Sequence, residues 1–175
     1  VTPWNNDSDG HGTHVAGTIA AADNTRGVVG VAPDAEIFTV RVFGSNGQFF
    51  GSDIVAAAEA CRDAGAKIIS MSLGGPGYDQ DEHDIFQDLY NQGILAVAAS
   101  GNSGSTDYSY PASYDMVISV AAVDSNSNLA SFSTRNNKVD IAAPGKWTVS
   151  LVEPSDSHIQ LVEPVRLTHP SVHYL

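Results

Sequence analysis

The sequence predicts an α/β fold, a doubly wound and mostly parallel sheet with helices on both faces, from three observations. Short runs such as Lys67 to Leu73, Ile94 to Ala99 and Met116 to Val123 are apolar almost throughout. They lack the polar-out alternation of a strand with one wet face, so both of their faces are buried. Segments with helical spacing separate them, and strands that alternate with helices imply parallel pairing through right-handed crossovers. Glycine-rich turns punctuate the alternation.

The elements follow in order. Residues after Gly10 start a helix of small residues, with Val15, Ile19 and Ala22 continuing one face. Ile37, Phe38, Val40 and Val42 alternate imperfectly and predict a strand that ends at Gly44. From Ser52 to Gly65 the period becomes helical. Ser52 suits an N-cap, Asp53 suits the positive end of the dipole, and Gly65 suits the C′ position. Ile54, Ala58, Cys61 and Gly65 share one face. Lys67 to Leu73 is the next strand and runs into the turn Gly74-Gly75-Pro76-Gly77. A helix from Asp81 to Gln92 follows, with Ile85 and Leu89 on one side. Ile94 to Ala99, Met116 to Val123 and Val139 to Ala143 complete the strands.

Residues 1–145 are therefore expected to form a domain truncated at both ends, and residues 146–175 an unrelated, disordered tail. The final 25 residues, 151–175, hold His158, His169, His173, three prolines, no glycine and no alanine. A short echo, Leu151-Val152-Glu153-Pro154 and Leu161-Val162-Glu163-Pro164, falls short of the roughly three copies that a stacked repeat needs.

Composition narrows the function. The 175 residues are 42% hydrophobic and 16% charged, values typical of globular chains. A net charge of -12 and an isoelectric point near 4.5 repel phosphate backbones, so nucleic acid is not an expected partner. No apolar run approaches the roughly 18 residues of a membrane span, so no membrane partner is expected. Cys61 is the only cysteine, which excludes an internal disulfide and a cysteine-rich zinc site. The chain begins at Val1 with no visible signal peptide. Nothing in the sequence specifies an oligomeric state.

Ligands in open α/β sheets bind beyond the carboxyl ends of the strands, here Leu73 to Gly75 and Ala99 to Asn102. Three segments could carry chemistry. In Asp9-Gly10-His11-Gly12-Thr13-His14, His11 sits near a helix N-terminus, which disfavours imidazolium and leaves the ring available as a base. A buried, hydrogen-bonded histidine is the structural alternative. Metal binding by His11 and His14 lacks the glutamate of the zinc-protease pattern. In Ala99-Ser100-Gly101-Asn102-Ser103-Gly104, the Asn102 amide could donate to a developing oxyanion, or could simply occupy a turn. Gly-Asn-Ser-Gly-Ser does not fit the nucleophile elbow, so Ser103 is an ordinary loop serine. Ser70 to Gly75 could pair with an extended peptide by strand addition, or be a plain strand exit. The acids Asp79, Asp81, Glu82, Asp84 and Asp88 read as a solvated helix face rather than a cation site. Cys61 reads as a small core residue. A nucleotide site is excluded because no G-x-G-x-x-G follows a strand.

Taken together the segments resemble the subtilisin-like serine proteases. HGTHVAGT at 11–18 precedes GVAP at 30–33, SLGG at 72–75, ASGN at 99–102, YPA at 110–112 and APG at 143–145. The resemblance spans about residues 7–145 and implies a serine endopeptidase that hydrolyses extended polypeptides with a Ser-His-Asp triad. It implies His11 as the general base and Asn102 as oxyanion donor. Ser72, Leu73 and Gly74 would form one substrate rail, and Gly47, Gln48 and Phe49 the facing one. Ala99, Ser100, Gly101, Ser109 and Tyr110 would outline the pocket for the residue before the cut. The loop Ala22 to Val28, with Asn24, matches the family's calcium loop, whose carboxylate partner would lie upstream of Val1. The chemistry requires no cofactor, so a structural calcium is the one ion implied. Secretion is implied too.

Two motifs of the family are missing from these residues. Only ten residues precede His11, whereas the family's D-[ST]-G motif lies several dozen before it, and Asp7 and Asp9 are too close. No G-T-S-M-A segment follows Gly145. The 175-residue chain is therefore expected to be inactive by itself. The alternative is a non-catalytic relative that keeps only a groove for extended peptides.

Overall fold

The structure is a computed structural model that describes residue 7, residues 9–44 and 47–151, and the strand at 172–174. Among the described residues three helices and five strands lie in the order α1 (His11–Ala20), α2 (Gly51–Asp63), β1 (Ile68–Met71), α3 (Gln80–Asn91), β2 (Leu95–Ala99), β3 (Val117–Val123), β4 (Ile141–Pro144) and β5 (Val172–Tyr174). The strands form one sheet in the order β4-β3-β2-β1-β5, with every pair parallel. Ile68 stands opposite Leu95, Ala96 opposite Val117, and Val120 opposite Ile141.

Strand pleating divides the core into two layers. Val15 and Ile19 of α1 pack on Ile68, Val97, Val120 and Ala143. On the opposite side Ile54, Ala58 and Cys61 of α2, with Ile85, Phe86 and Leu89 of α3, pack on Ile69, Met71, Ala96, Ala98 and Val117. Neighbouring residues of one strand thus feed opposite layers, as period-2 geometry requires. That two-sided burial is why the strands carry continuous apolar runs.

Several boundaries move for identifiable reasons. Helix α2 begins at Gly51 rather than after Ser52, because the Asp53 carboxylate accepts the Phe50 amide at 2.8 Å and closes the first turn there. Gly65 adopts φ +89 past the helix end, as expected of a C′ glycine. Helix α3 starts after Asp79, whose side chain accepts the Glu82 amide at 2.9 Å. Helix α1 ends at Ala20, leaving Ala22 exposed, because residues 30–32 take over its terminal carbonyls. Gly30, Val31 and Ala32 donate their amides to Ala21, Thr18 and Ile19.

The expected strand at 37–42 does not form. Only single-residue bridges occur, at Glu36 and Thr39. Ile37 packs against the α1 layer, whereas Val40, Val42 and Phe43 pack against the α2/α3 layer. Glu82 also departs from expectation: it is 5% exposed, not on a solvated face.

Of the segment expected to be an unrelated tail, residues 152–171 lie outside the described residues. Lys146 to Leu151 runs along α1, where the Ser150 hydroxyl donates to the His14 carbonyl at 2.6 Å. A Cβ at Gly17 would stand 2.6 Å from Ser150 Oγ, so the close approach depends on glycine there. Residues 172–174 pair in parallel with β1.

Candidate active site

The carboxyl ends of β1 and β2 open into a cleft of about 420 Å³, lined by Ser72 to Pro76, Ala99, Gly101 to Ser103, Asp107 to Ser109 and Thr134. Strand β1 supplies the first wall as its chain leaves the sheet. Gly75 and Tyr110 exchange both backbone hydrogen bonds, at 2.9 and 2.8 Å, and so tie that wall to the 108–110 loop. Gly74 is needed at this contact, since an added Cβ would lie 2.6 Å from Ser109 Oγ and 3.1 Å from the Tyr110 carbonyl oxygen. Ser72 Oγ is buried without a hydrogen-bond partner among the described residues.

Strand β2 supplies the second wall. Asn102 follows it, exposed at the cleft, and its side chain makes no hydrogen bond among the described residues. An unengaged amide at a strand end can donate to an incoming oxygen. Gly101 holds φ +110 beneath it, a conformation open to glycine.

His11 is the first residue of α1 and half-buried. Burial lowers its pKa below the ordinary 6.5, while Asp9 and then Asp7 pull it back up. The neutral ring is therefore favoured at neutral pH. Asp7 anchors this helix start: its carboxylate accepts the Gly10 amide at 3.2 Å, and the Thr13 amide and hydroxyl at 2.7 Å each. Gly10 at φ +78 makes the sharp entry. His14, 1% exposed, is a core residue whose pKa burial also lowers. Neither of its ring nitrogens makes a hydrogen bond of good geometry among the described residues, and the Thr148 backbone opposes the downward shift.

Of the residues the sequence nominates, the cleft collects Ser72, Leu73, Gly74, Ala99, Gly101, Asn102 and Ser109. It does not collect the others. Ser100 is 2% exposed and turns inward, donating to the Thr134 carbonyl at 3.1 Å. Tyr110 packs its ring on Tyr114, with centroids 4.8 Å apart. Gly47 and Gln48 form a turn through the Gln48 carbonyl and Gly44 amide, and Phe49 meets Phe43 edge-on at 5.1 Å. His11 does not line the cleft either. Sequence reasoning missed Asp107, Tyr108 and Thr134, which carry no motif and reach the site only by folding.

The loop from Ala22 to Val28, where the resemblance implies calcium, turns at Asn24. Asn24 Oδ1 accepts the Arg26 amide at 2.8 Å, and no group of three His, Cys, Asp or Glu among the described residues could hold a metal. Among the same residues no helix is long and apolar enough to cross a membrane.

Comparison with known proteins agrees with this geometry. The sequence profile of the Subtilase family matches residues 2–166. Subtilisin DY of Bacillus licheniformis is 45% identical over 162 residues, covering 90% of this chain and 59% of its own length. Thermitase of Thermoactinomyces vulgaris is 43% identical over 150 residues, covering 85% of this chain and 53% of its own. A psychrophilic subtilisin-like protease from the Antarctic Pseudoalteromonas sp. AS-11 superposes with a TM-score of 0.80 at 46% identity, over 86% of this chain and 36% of that one. The chain thus spans between half and three fifths of these curated relatives. With the ordered motifs, the parallel sheet and the cleft at its carboxyl edge, the chain belongs to the subtilase family.

Proposed function

We propose that these residues are part of a secreted subtilisin-like serine endopeptidase acting on extended polypeptides. His11 is the general base that takes the proton from an attacking serine and returns it to the leaving amine. Asn102 donates to the oxyanion. Ser72, Leu73 and Gly74 offer backbone groups to the substrate, and Ala99, Gly101 and Ser109 shape the pocket beside them. The observation that carries this reading is the unengaged Asn102 amide, held at the end of β2 and facing an open cleft.

The test uses a protease that contains this segment together with the family's aspartate and serine motifs. His11→Ala should abolish cleavage of casein. Asn102→Ala should lower turnover by about 10²–10³, the range measured in subtilisin itself and borrowed from it. Activity should rise from acid to neutral pH as His11 loses its proton. Normal turnover in His11→Ala would remove that residue from the mechanism.

The open cleft beside the β1 exit at Ser72 to Gly74 also fits a second reading, a groove that binds extended peptides without cutting them. The isolated chain should take up no fluorophosphonate probe. Stoichiometric labelling of a serine, mapped by mass spectrometry, would overturn that expectation.

A further inference from the structure

We propose that Thr134 is a positioning residue for Asn102, and that a directed chain of hydrogen bonds from Thr134 to Asp107 fixes the loop that presents the Asn102 amide. The proposal rests on the oxyanion role given to Asn102 above and adds a residue that no motif marks.

Thr134 is 2% exposed and touches both sides of Asn102 with different groups. Its amide donates to the Gly101 carbonyl at 2.9 Å. Its carbonyl accepts the Ser100 hydroxyl at 3.1 Å. Its hydroxyl lies 2.9 Å from Ser103 Oγ. Residues 100, 101 and 103 are thus each bonded to one residue some 30 positions away, while Asn102 between them is left to face the cleft. A Cβ on Gly101 would come within 3.0 Å of Thr134 Oγ1, so the two segments are in contact as well as bonded. Two further bonds extend the seam, from the Gly104 amide to the Phe132 carbonyl at 2.6 Å and from the Arg135 amide to the Ser105 carbonyl at 2.9 Å.

The direction of the hydroxyl chain follows from donor counting. Asp107 is an acceptor, so the Ser105 hydroxyl must donate its single proton to Asp107 Oδ2, at 2.9 Å. Ser105 Oγ then accepts from Ser103 Oγ at 2.7 Å, and also from the Asp107 amide at 3.1 Å. Ser103, having donated, must accept from Thr134 Oγ1; it accepts the Ser105 amide as well, at 3.3 Å. The hydroxyls of Ser103 and Ser105 therefore each give one proton and receive two, with no capacity left over. A chain ending on a carboxylate polarises each bond in the same sense, which strengthens them together. Thr134 is the buried end of this chain and Asp107 its exposed, charged end at the cleft.

The full 175-residue chain, labelled with ¹⁵N, provides the test. Thr134→Val keeps the shape and removes the hydroxyl, whereas Thr134→Ser keeps the donor. Thr134→Val should speed exchange of the Thr134 and Gly104 amide protons about tenfold, lower the heteronuclear NOE across Gly101 to Gly104, and shift the Asn102 side-chain amide pair. Thr134→Ser should restore all three. Should Thr134→Val fail to fold, Asp107→Asn at the exposed end carries the test and should move the same signals in the same direction. In a protease containing this segment, Thr134→Val should lower kcat about tenfold with KM within twofold. Unchanged Asn102 signals in Thr134→Val, a Thr134→Ser variant as disturbed as the valine, or an inert Asp107→Asn would each overturn the proposal. An Asn102 that depends on Thr134 for order but is dispensable for turnover would instead refute the oxyanion reading and leave the positioning standing.

Discussion

Glu82 lies on the buried side of α3, 5% exposed, and no cation is paired with it among the described residues. Burial pushes its carboxyl up from the ordinary 4.5 to about 7, opposed by a hydrogen bond from the Tyr114 hydroxyl at 3.3 Å and reinforced by Asp79. Tyr114 also bonds the Asp79 backbone, so its proton is shared and the carboxylate is poorly satisfied. The rings of Tyr78, Tyr110, His83 and Phe86 surround Tyr114. Because the folded pKa is raised, the stability linked to this proton is fully present below about pH 4.5 and is lost as pH climbs through about 7. A rise from 4.5 to about 7, at 1.36 kcal/mol per pH unit, amounts to about 3 kcal/mol. Glu82→Gln keeps the size and an acceptor for Tyr114 but has no proton to lose. In urea denaturation followed by circular dichroism, variant and parent should agree within about 0.5 kcal/mol at pH 4. At pH 8 the variant should be more stable by about 3 kcal/mol. A difference that is the same at both pH values would refute the argument, because it would come from packing and not from ionisation.

Two further substitutions and one reagent test the packing. Gly30→Ala would place a Cβ 2.5 Å from the backbone nitrogens of Ala20 and Ala21, where no side chain can yield, so it should cost about 3 kcal/mol or more in urea unfolding; a loss under about 0.5 kcal/mol would disprove the contact. Gly74→Ala should separate Ser109 from the β1 exit and weaken binding of an extended peptide to the cleft by calorimetry, with unfolding changed less than binding. Cys61 is fully buried and its thiol is pushed up to about 12 by burial, so a thiol reagent should label it only at the rate of unfolding; rapid labelling of the native chain would contradict its place on the buried face of α2.

The local signals in the sequence were enough for the fold class, the three helices and strands β1 to β4, but not for the segment at 37–42 or for β5. Apolar runs such as Ile94 to Ala99 announce strands buried on both faces, because two-sided burial leaves no polar period. The face of Ile54, Ala58 and Cys61, and the C′ glycine at Gly65, are likewise set within one or two turns of chain. The motif residues Ser72 to Gly74 and Ala99 to Asn102 are legible because each directly follows a strand, and strand ends in such sheets face the ligand. What the sequence could not determine are pairings between distant segments. The burial of Glu82 depends on Tyr114 arriving from 32 residues away. The support of Asn102 depends on Thr134, and the β1 edge pairs with residues 172–174 rather than with any neighbour in sequence. Periodicity and capping report only forces that act within a few residues. Contacts across the fold arise only once the whole sheet has assembled, and so the tertiary structure alone decided them.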